Sequence, residues 1–510
     1  MELIDEILNR VTMYRLTLYY LCALIGIAFI YCYFGILPYS AADLIISTGT
    51  AIFVSYLANW VFAKIFKAVT NVESVFITAL ILVLIVPFKF PVNFVFIVAV
   101  CVFAMASKYF TTIEKMHIFN PAAAAVVAVA LLSPERAATW WVGTPAMFLP
   151  VLIGGLLLTR KIRRETLVVN FLIAYVILVS ASTYLRIGTL DSIFLGLRNG
   201  LFQSSLLFFM FVMLTEPLTS PVTEKLQAYY SYLVAILYAT PQLRLFGIIF
   251  TPEMALVLGN IFSYFISPKY RLELALVQKE QVSPDTLTFS FKNQGKMKFT
   301  PGQYMEWTLP HRGADSRGVR RYFSIASSPT EEDLLLAVKF YSPSSTYKQA
   351  LFNLENENQI IASSLAGDFV LPNDISKPLV FISGGVGIAP FRSMIKYILD
   401  KNLTCDIVHI FINRNPEDII FKDVLDSAIG NGVKTIYALT NTEKIPAGWT
   451  GLTGHLTSES VKQAVPDYDK RIFYVSGPQL MVQSVEKTLL STGIGKRNIK
   501  TDFFPGYVEK

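Results

Sequence analysis

The sequence is short of cysteine, histidine and charge, and each shortage narrows what the chain can be. Its four cysteines, Cys22, Cys32, Cys101 and Cys405, lie far apart with no CxxC or other clustered spacing. That excludes an iron–sulfur cluster held by grouped thiolates and a disulfide framework, and no metal site is expected. The four histidines are His117, His311, His409 and His455, and His117 alone lies near an apolar run. A transmembrane b-type haem needs paired axial histidines, so haem is a poor candidate. Charged residues make up 16% of the 510, against roughly 25% in a soluble protein, and the mean hydropathy is +0.48. The formal net charge of +7 comes from scattered basic residues, many between apolar runs, and calls for no nucleic-acid partner. Residues 1–15 are mixed in charge and lead straight into a long apolar run, so no cleavable signal peptide is expected.

The shortage of charge is uneven. Residues 1–268 are mostly apolar, whereas 269–510 hold most of the Asp, Glu, Asn and Gln. The length suggests about three domains. A membrane span needs roughly 20 apolar residues. About ten runs are candidates, namely 15–37, 42–63, 73–88, 91–107, 119–133, 145–159, 166–185, 192–214, 229–243 and 252–267. The shorter ones (73–88, 119–133, 145–159, 252–267) suit half-helices that face protein. With the N-terminus in the cytoplasm, inside loops carry Lys64, Lys67, Lys108, Lys115, Arg160, Lys161, Arg163, Arg164 and Lys225, and Lys269 and Arg271 follow the last run. Outside loops hold only Lys89, Arg136, Arg186 and Arg244. This asymmetry obeys the positive-inside rule. It predicts a multi-pass protein in the lipid of the cell membrane with both termini cytoplasmic.

Two polar runs interrupt the apolar half. Residues 116–123 read MHIFNPAA, with Asn120 placed to cap a helix starting at Pro121. Residues 214–221 read LTEPLTSP and end a span with Thr215, Glu216, Thr219 and Ser220. A capped helix start and a polar turn explain both runs without function, but ionisable groups at membrane depth are costly and usually serve one. The ordered pair resembles the membrane flavin subunits of two respiratory complexes, the Rnf ferredoxin:NAD oxidoreductase and Nqr, the sodium-pumping NADH:quinone reductase, over roughly residues 10–268. The resemblance implies a ten-helix, inverted-repeat fold similar to urea transporters. It also implies FMN or riboflavin in the membrane, with His117, Asn120, Thr215, Glu216 and Thr219 as candidate contacts. Those subunits attach FMN to the Thr of an S-G-A-T-type loop, which is missing here. Thr139 or Thr144, in the loop after Ser133, is the remaining attachment candidate. Loss of the covalent link, with a flavin held non-covalently or that site vacant, is the alternative.

Beyond residue 268 the pattern changes to period-two alternation, and strands are expected at Leu272–Val277, Thr286–Phe291 and Leu334–Tyr341. FTPGQY (299–304) is followed by RRYFSIASSP (320–329). This order resembles the ferredoxin–NADP reductase superfamily, whose flavin signature R-x-Y/F-S/T falls on Arg321, Phe323 and Ser324. The chemistry suits the residues: an Arg pairs with a pyrophosphate through two hydrogen bonds, a small hydroxyl fits beside flavin N5, and an aromatic ring lies against the flavin. On the same resemblance Tyr304 and Tyr322 flank the flavin. Ser345 and Thr346 belong to a loop that cradles phosphate, and Gly367 and Asp368 to the strand that closes the flavin barrel.

The run PLVFISGGVGIAPFRSM (378–394) reads as a buried strand, a glycine turn and an amphipathic helix. Such a turn brings backbone and a helix N-terminus to a pyrophosphate. Gly384, Gly385, Gly387 and Pro390 carry the superfamily's G-G-x-G-x-x-P form. Parallel strands are expected at Ile407–Ile412 and Thr435–Leu439. Arg414 follows the first of these, where the resemblance puts discrimination of the adenosine phosphate; NADH and NADPH both stay open. Residues 474–481 resemble a Y-x-C-G-P-x-x-M run near the nicotinamide, with Ser476 in place of Cys, then Gly477 and Pro478. The ending KTDFFPGY (500–507) resembles the segment that approaches the flavin, with Phe503 or Phe504 as its shield.

The expected architecture is therefore multi-domain: a polytopic α-helical membrane domain (1–268), an antiparallel β-barrel FAD domain (269–373) and an α/β parallel-sheet NAD(P) domain (374–510). The expected function is membrane-bound NAD(P)H:acceptor oxidoreduction, with Ser324, Ser476 and Phe504 at the hydride step. Electrons would pass through FAD to a membrane flavin and on to a quinone or a trans-membrane acceptor, with ion coupling and further redox subunits compatible. The alternative is a transporter or channel regulated by a fused reductase.

Overall fold

α1 (Met13–Tyr33) and α2 (Ala41–Phe66) show how the apolar half is built. In α2 the buried positions are Leu44, Ser47, Ala51, Ser55 and Asn59, mostly small or polar residues recurring at helical spacing. Ile45, Phe53, Leu57 and Trp60 point outward. A water-soluble helix does the reverse, whereas helices in lipid meet through small residues and turn bulk outward. The computed structural model describes residues 8, 11–66, 71–87, 89–113, 116–133, 138–240, 244–245, 248–267, 271–293, 297–315 and 318–503. Contacts divide the chain into two units, Met1–Lys269 and Tyr270–Lys510.

In the first unit α3 (Val72–Ile85) is buried from Thr78 to Ile85. Its 14 residues reach about 21 Å, too short for a hydrocarbon core of roughly 30 Å. α4 (Phe94–Phe110) leads to a two-residue ladder of β1 (Thr112–Ile113) and β2 (Met116–His117), then α5 (Pro121–Leu132). The Asn120 side chain caps α5 by accepting from the Ala123 N–H at 3.1 Å. The element order then recurs. α6 (Phe148–Ile162) and α7 (Glu165–Ile187) are long, and α8 (Leu190–Phe202) bends by 60° into α9 (Leu206–Phe208), which continues as a π-helix over Phe209–Met213. α10 (Glu224–Ala239), a second ladder of β3 (Arg244–Leu245) and β4 (Ile248–Ile249), and α11 (Pro252–Ile266) follow. α5 starts at the proline of Phe119-Asn120-Pro121 and α11 at that of Phe250-Thr251-Pro252, and Thr251 caps α11 as Asn120 caps α5. Among the described residues four helices, α1, α2, the run Pro145–Ile162 containing α6, and α7, are long and apolar enough to cross a membrane, and the bent pair adds a fifth if counted as one span. The run expected at 192–214 is this bent pair rather than one straight helix.

The second unit begins with a six-stranded antiparallel sheet of β5 (Arg271–Ser283), β6 (Thr286–Lys292), β7 (Tyr304–Thr308), β8 (Arg320–Ser324), β9 (Asp333–Lys339) and β10 (Gln359–Ala366), in the order β8-β7-β10-β5-β6-β9. α12 (Thr346–Phe352) packs the buried Tyr347 onto this core, where the Tyr347 hydroxyl donates to the Trp307 carbonyl at 3.1 Å. A parallel sheet follows: β11 (Leu379–Gly384), β12 (Ile407–Asn413), β13 (Val433–Leu439), β14 (Leu452–Thr453), β15 (Ile472–Ser476) and β16 (Ile499–Asp502), in the order β14-β13-β12-β11-β15-β16. β11 and β12 are buried along their whole length, as a central strand covered on both faces must be. The helices are α13 (Ala389–Asp400), α14 (Lys422–Ser427), α15 (Ser458–Ala464) and α16 (Gln479–Ser491). The strand order reverses at β11, and in such sheets ligands bind outside the carboxyl ends of the strands at that point.

Candidate active site

In the second unit β8 carries the R-Y-F-S run in register with β7, pairing Ser324 with Tyr304 and Tyr322 with Glu306. Arg321 lies with its guanidinium 5.0 Å above the Tyr347 ring and donates to the Arg320 and Gly318 carbonyls at 2.7 and 3.0 Å and to Asp315 at 3.3 Å. Asp315 also accepts from the Thr346 N–H at 3.2 Å. The Thr346 hydroxyl accepts from the Asp315 N–H at 2.9 Å and lies 3.1 Å from His311 Nε2. Ser345 is the N-cap of α12. The structure thus brings Arg321, Ser345 and Thr346 to one place from separate stretches of the chain. Phe323 packs against Tyr347 beneath them, with ring centroids 6.1 Å apart.

The ring-binding candidates form a second group. Tyr304 and Tyr322 meet edge to face at 5.8 Å, and the Tyr322 hydroxyl donates to Glu306 at 2.9 Å. Gly367 has φ +116° beside Tyr304, and a Cβ there would approach the Tyr304 ring to 3.1 Å. Ser324 is buried at the end of β8, and Asp368 is exposed.

The glycine turn after β11 meets the end of β15. A Cβ on Gly387 would stand 2.5 Å from Gly477 Cα, and one on Gly384 would strike the Met481 sulfur. Gly385 has φ +51° and faces open space. Pro390 sits in the first turn of α13, and Pro478 is the N-cap of α16. Ser476 pairs with Ser383 on one side and Asp502 on the other, which leaves Phe503 just past the end of β16. Arg414 is exposed after β12. Beside it the buried Asn413 side chain has no hydrogen-bond partner. Phe504 lies outside the described residues.

The first unit holds a pocket lined by Tyr14, Thr17, Thr78, Asn120, Thr215 and Glu216 among others. Glu216 Oε2 accepts from the Asn120 amide at 2.8 Å and from the Thr219 hydroxyl at 3.1 Å. His117 Nε2 stands 3.7 Å from Glu216 Oε1. On α11, Asn260 accepts from the Asn120 backbone N–H at 2.8 Å. The two polar runs, far apart in the chain, therefore share one site. Thr144 does not line this pocket; it lies between two single turns of 3₁₀ helix, with its hydroxyl buried and unpartnered. Among the described residues no group of three His, Cys, Asp or Glu is arranged to hold a metal ion.

Residues 273–370 match the model for an oxidoreductase FAD-binding domain, and residues 381–487 that for an oxidoreductase NAD-binding domain. The C-terminal unit is an FAD- and NAD-binding module of the ferredoxin–NADP reductase family. The chain is accordingly an NAD(P)H-dependent flavin oxidoreductase. The stachydrine N-demethylase reductase subunit Stc4 of Rhizobium meliloti is 27% identical over 46% of this chain and 68% of its own length. An NADH-cytochrome b5 reductase 1 of Aspergillus oryzae is 26% identical over 45% of this chain and 82% of its own. Among solved structures, the FAD/NAD-binding domain of nitric oxide dioxygenase from Vibrio cholerae aligns over 46% of this chain and 98% of its own at 19% identity, with a TM-score of 0.41.

Several residues around these sites carry no signal in the sequence. In the reductase module Asp315 and His311 sit in a polar loop without periodicity. In the first unit Glu253, buried in the first turn of α11, accepts from the Trp140 indole at 2.5 Å. A lone carboxylate inside the apolar run 252–267 is its only trace.

Proposed function

We propose that this chain is a multi-pass cell-membrane dehydrogenase that carries electrons from NAD(P)H through FAD to an acceptor site in its own N-terminal unit. In the reductase module Arg321, Ser345 and Thr346 would hold the FAD pyrophosphate, exchanging the Asp315 carboxylate for the phosphate as anionic partner of Arg321. Tyr304, Tyr322 and Phe323 would flank the flavin, with Gly367 and Asp368 bordering it. Gly384, Gly385, Gly387, Pro390, Gly477 and Pro478 would receive NAD(P)H at the open helix N-terminus, with Arg414 toward its adenosine end. Ser324 and Ser476 would face the reacting rings, and Phe503 or Phe504 would shield the flavin from water. When bound, FAD supplies the exchange between two-electron and one-electron chemistry.

One observation carries the membrane part: Asn120, Thr215 and Glu216 line a single pocket, and His117 and Thr219, which do not line it, meet Glu216 behind them. The pocket lining sets a few convergent polar groups among apolar side chains, the composition of a small-ligand site. The polar groups there suit FMN or riboflavin, or a quinone. The outward bulk of α1, α2 and α7 supports a lipid setting. The relatives are named for delivering electrons to a separate partner, and here the fused unit stands in that place. A second reading is favoured by the recurring element order and by two proline-started short helices, an architecture shared with transporters; in it the reductase regulates transport.

Flavin analysis of the purified chain tests the proposal. Acid extraction is expected to give FAD and a second flavin, and Asn120→Leu is expected to lose the second alone. A chain with FAD only, and a membrane acceptor rate indifferent to Asn120→Leu, would leave the transport reading.

A further inference from the structure

We propose that Arg392 and Glu331 form a positioning clamp that sets the alignment for hydride transfer in the reductase module. The reaction balances as NAD(P)H + FAD + H⁺ → NAD(P)⁺ + FADH₂, with two electrons and one proton moving together as hydride. Its rate depends on how two rings, held by two different subdomains, face each other. The proposal rests on the reading that Ser324 faces the flavin and Gly384–Pro390 the nucleotide.

Both ends of the clamp sit next to those residues. Arg392 and Ser393 closely follow Pro390 on α13, and both are buried. Ala326, Ser327 and Ser328 follow Ser324 on the flavin side. The Arg392 guanidinium forks onto Glu331, with one arm at 2.9 Å and the other shared between Glu331 and the Ala326 carbonyl, which it meets at 3.1 Å. Glu331 in turn accepts from the Ser328 N–H at 2.6 Å. Ser393 donates to the Ser327 carbonyl at 2.6 Å. Farther along α13, Thr330 donates to Asp400 at 2.5 Å. Just past Ser324 and just past Pro390, the chain is thus tied by a bidentate ion pair, the geometry that fixes orientation as well as distance. The Arg392 guanidinium also lies 5.5 Å over the Phe421 ring, which limits its swing. A clamp of this kind touches neither ring and acts through the segments it joins.

The test uses the full-length chain in detergent with its FAD bound. Arg392→Met, Arg392→Lys and Glu331→Gln are reduced anaerobically by NADH and by NADPH in a stopped-flow instrument. The limiting rate of flavin reduction in Arg392→Met is expected to fall roughly 10- to 100-fold, the scale of a displacement of about 1 Å. Nucleotide affinity should stay within about threefold, with FAD content and thermal midpoint retained. Arg392→Lys, which keeps the charge and loses the fork, should resemble Arg392→Met. Glu331→Gln, the mildest change, should move the same rate in the same direction. A limiting rate within about twofold of wild type in both Arg392→Met and Glu331→Gln overturns the proposal. So does a rate loss that merely follows FAD loss or weakened nucleotide binding in Glu331→Gln, since that marks a purely structural tie. A wild-type flavin that neither nucleotide reduces would overturn the underlying reading of the site along with it.

Discussion

His409 shows how a single side chain ties stability to pH in the reductase module. It is buried within β12, its Nε2 is 2.8 Å from the Ser383 hydroxyl, and its ring stacks on Phe411. Burial pushes its imidazole down to about 3, far below its ordinary value near 6.5. The unfolded chain therefore binds a proton between those values and the folded chain does not, so the stability from this group is complete above about 6.5 and is lost as pH falls toward 3. The expected slope is about 1.4 kcal/mol per pH unit, or roughly 2 kcal/mol between neutrality and pH 5. Denaturant unfolding followed by FAD fluorescence at about pH 7.5, 6 and 5 measures it. His409→Gln should start lower and show a shallower slope, and parallel pH dependences for the two proteins would sink the assignment. Ser383 immediately precedes Gly384, so the same hydrogen bond anchors the strand that delivers the glycine turn.

Short elements with special ends organise both units. In the reductase module the turn from β11 into α13 needs glycine at 387 because the Gly477 backbone fills the space a Cβ would take. In the first unit the junction is between α5 and α11, where Asn260 accepts the Asn120 N–H and directs its own amide to the Tyr230 hydroxyl at 3.3 Å. Asn260→Leu is of similar size but leaves that buried N–H without an acceptor, at a cost of about 1–3 kcal/mol. In thermal unfolding of the detergent-solubilised chain this corresponds to a midpoint lowered by roughly 5 °C. The control is Ser263→Ala on the same helix, which removes a buried hydroxyl with no partner and should be neutral or stabilising. Equal losses in the two variants would mean that packing, not the hydrogen bond, holds the junction. What is legible in the sequence follows the same division. The strands expected at 272–277, 286–291, 407–412 and 435–439 lie within β5, β6, β12 and β13, because alternation and buried runs are local signals. The R-Y-F-S and glycine-turn motifs are legible because each packs its chemistry into a short consecutive run. Glu331 and Arg392 are not, since 61 residues separate them and only the fold makes them neighbours. Asp315 is silent for the same reason, because its partners Arg321 and Thr346 meet it only once β8 and α12 are in place. The bend between α8 and α9 falls at Gln203-Ser204-Ser205, a polar break too short to interrupt the apolar average of the run read as one span over 192–214.

At the scale of the whole molecule, the proposed function divides one reaction between the two units, and the halves can be measured apart. The reductase module contains all the residues assigned to NAD(P)H and FAD, so a water-soluble one-electron acceptor such as ferricyanide reports on that half. On the proposed route, a quinone presented in micelles or vesicles reports on the complete path. Glu216 belongs to the N-terminal unit alone, where it meets Asn120, Thr219 and His117 at the wall of a pocket lined largely by apolar side chains. Glu216→Gln preserves size but removes the charge and one accepting oxygen, so an N–H₂ must face either the Asn120 and Thr219 donors or His117. In a site shielded from water a mismatch of that kind costs about 1–3 kcal/mol, which converts to roughly a five- to 150-fold loss of affinity or rate. NAD(P)H:ferricyanide reduction should therefore stay within about twofold of wild type, while NAD(P)H:quinone reduction falls at least about fivefold. If both rates fall together, Glu216 supports the fold of the whole chain rather than an acceptor site. If neither moves, electrons leave from the FAD directly, and the pocket between α1, α3 and α5 serves transport instead of electron transfer.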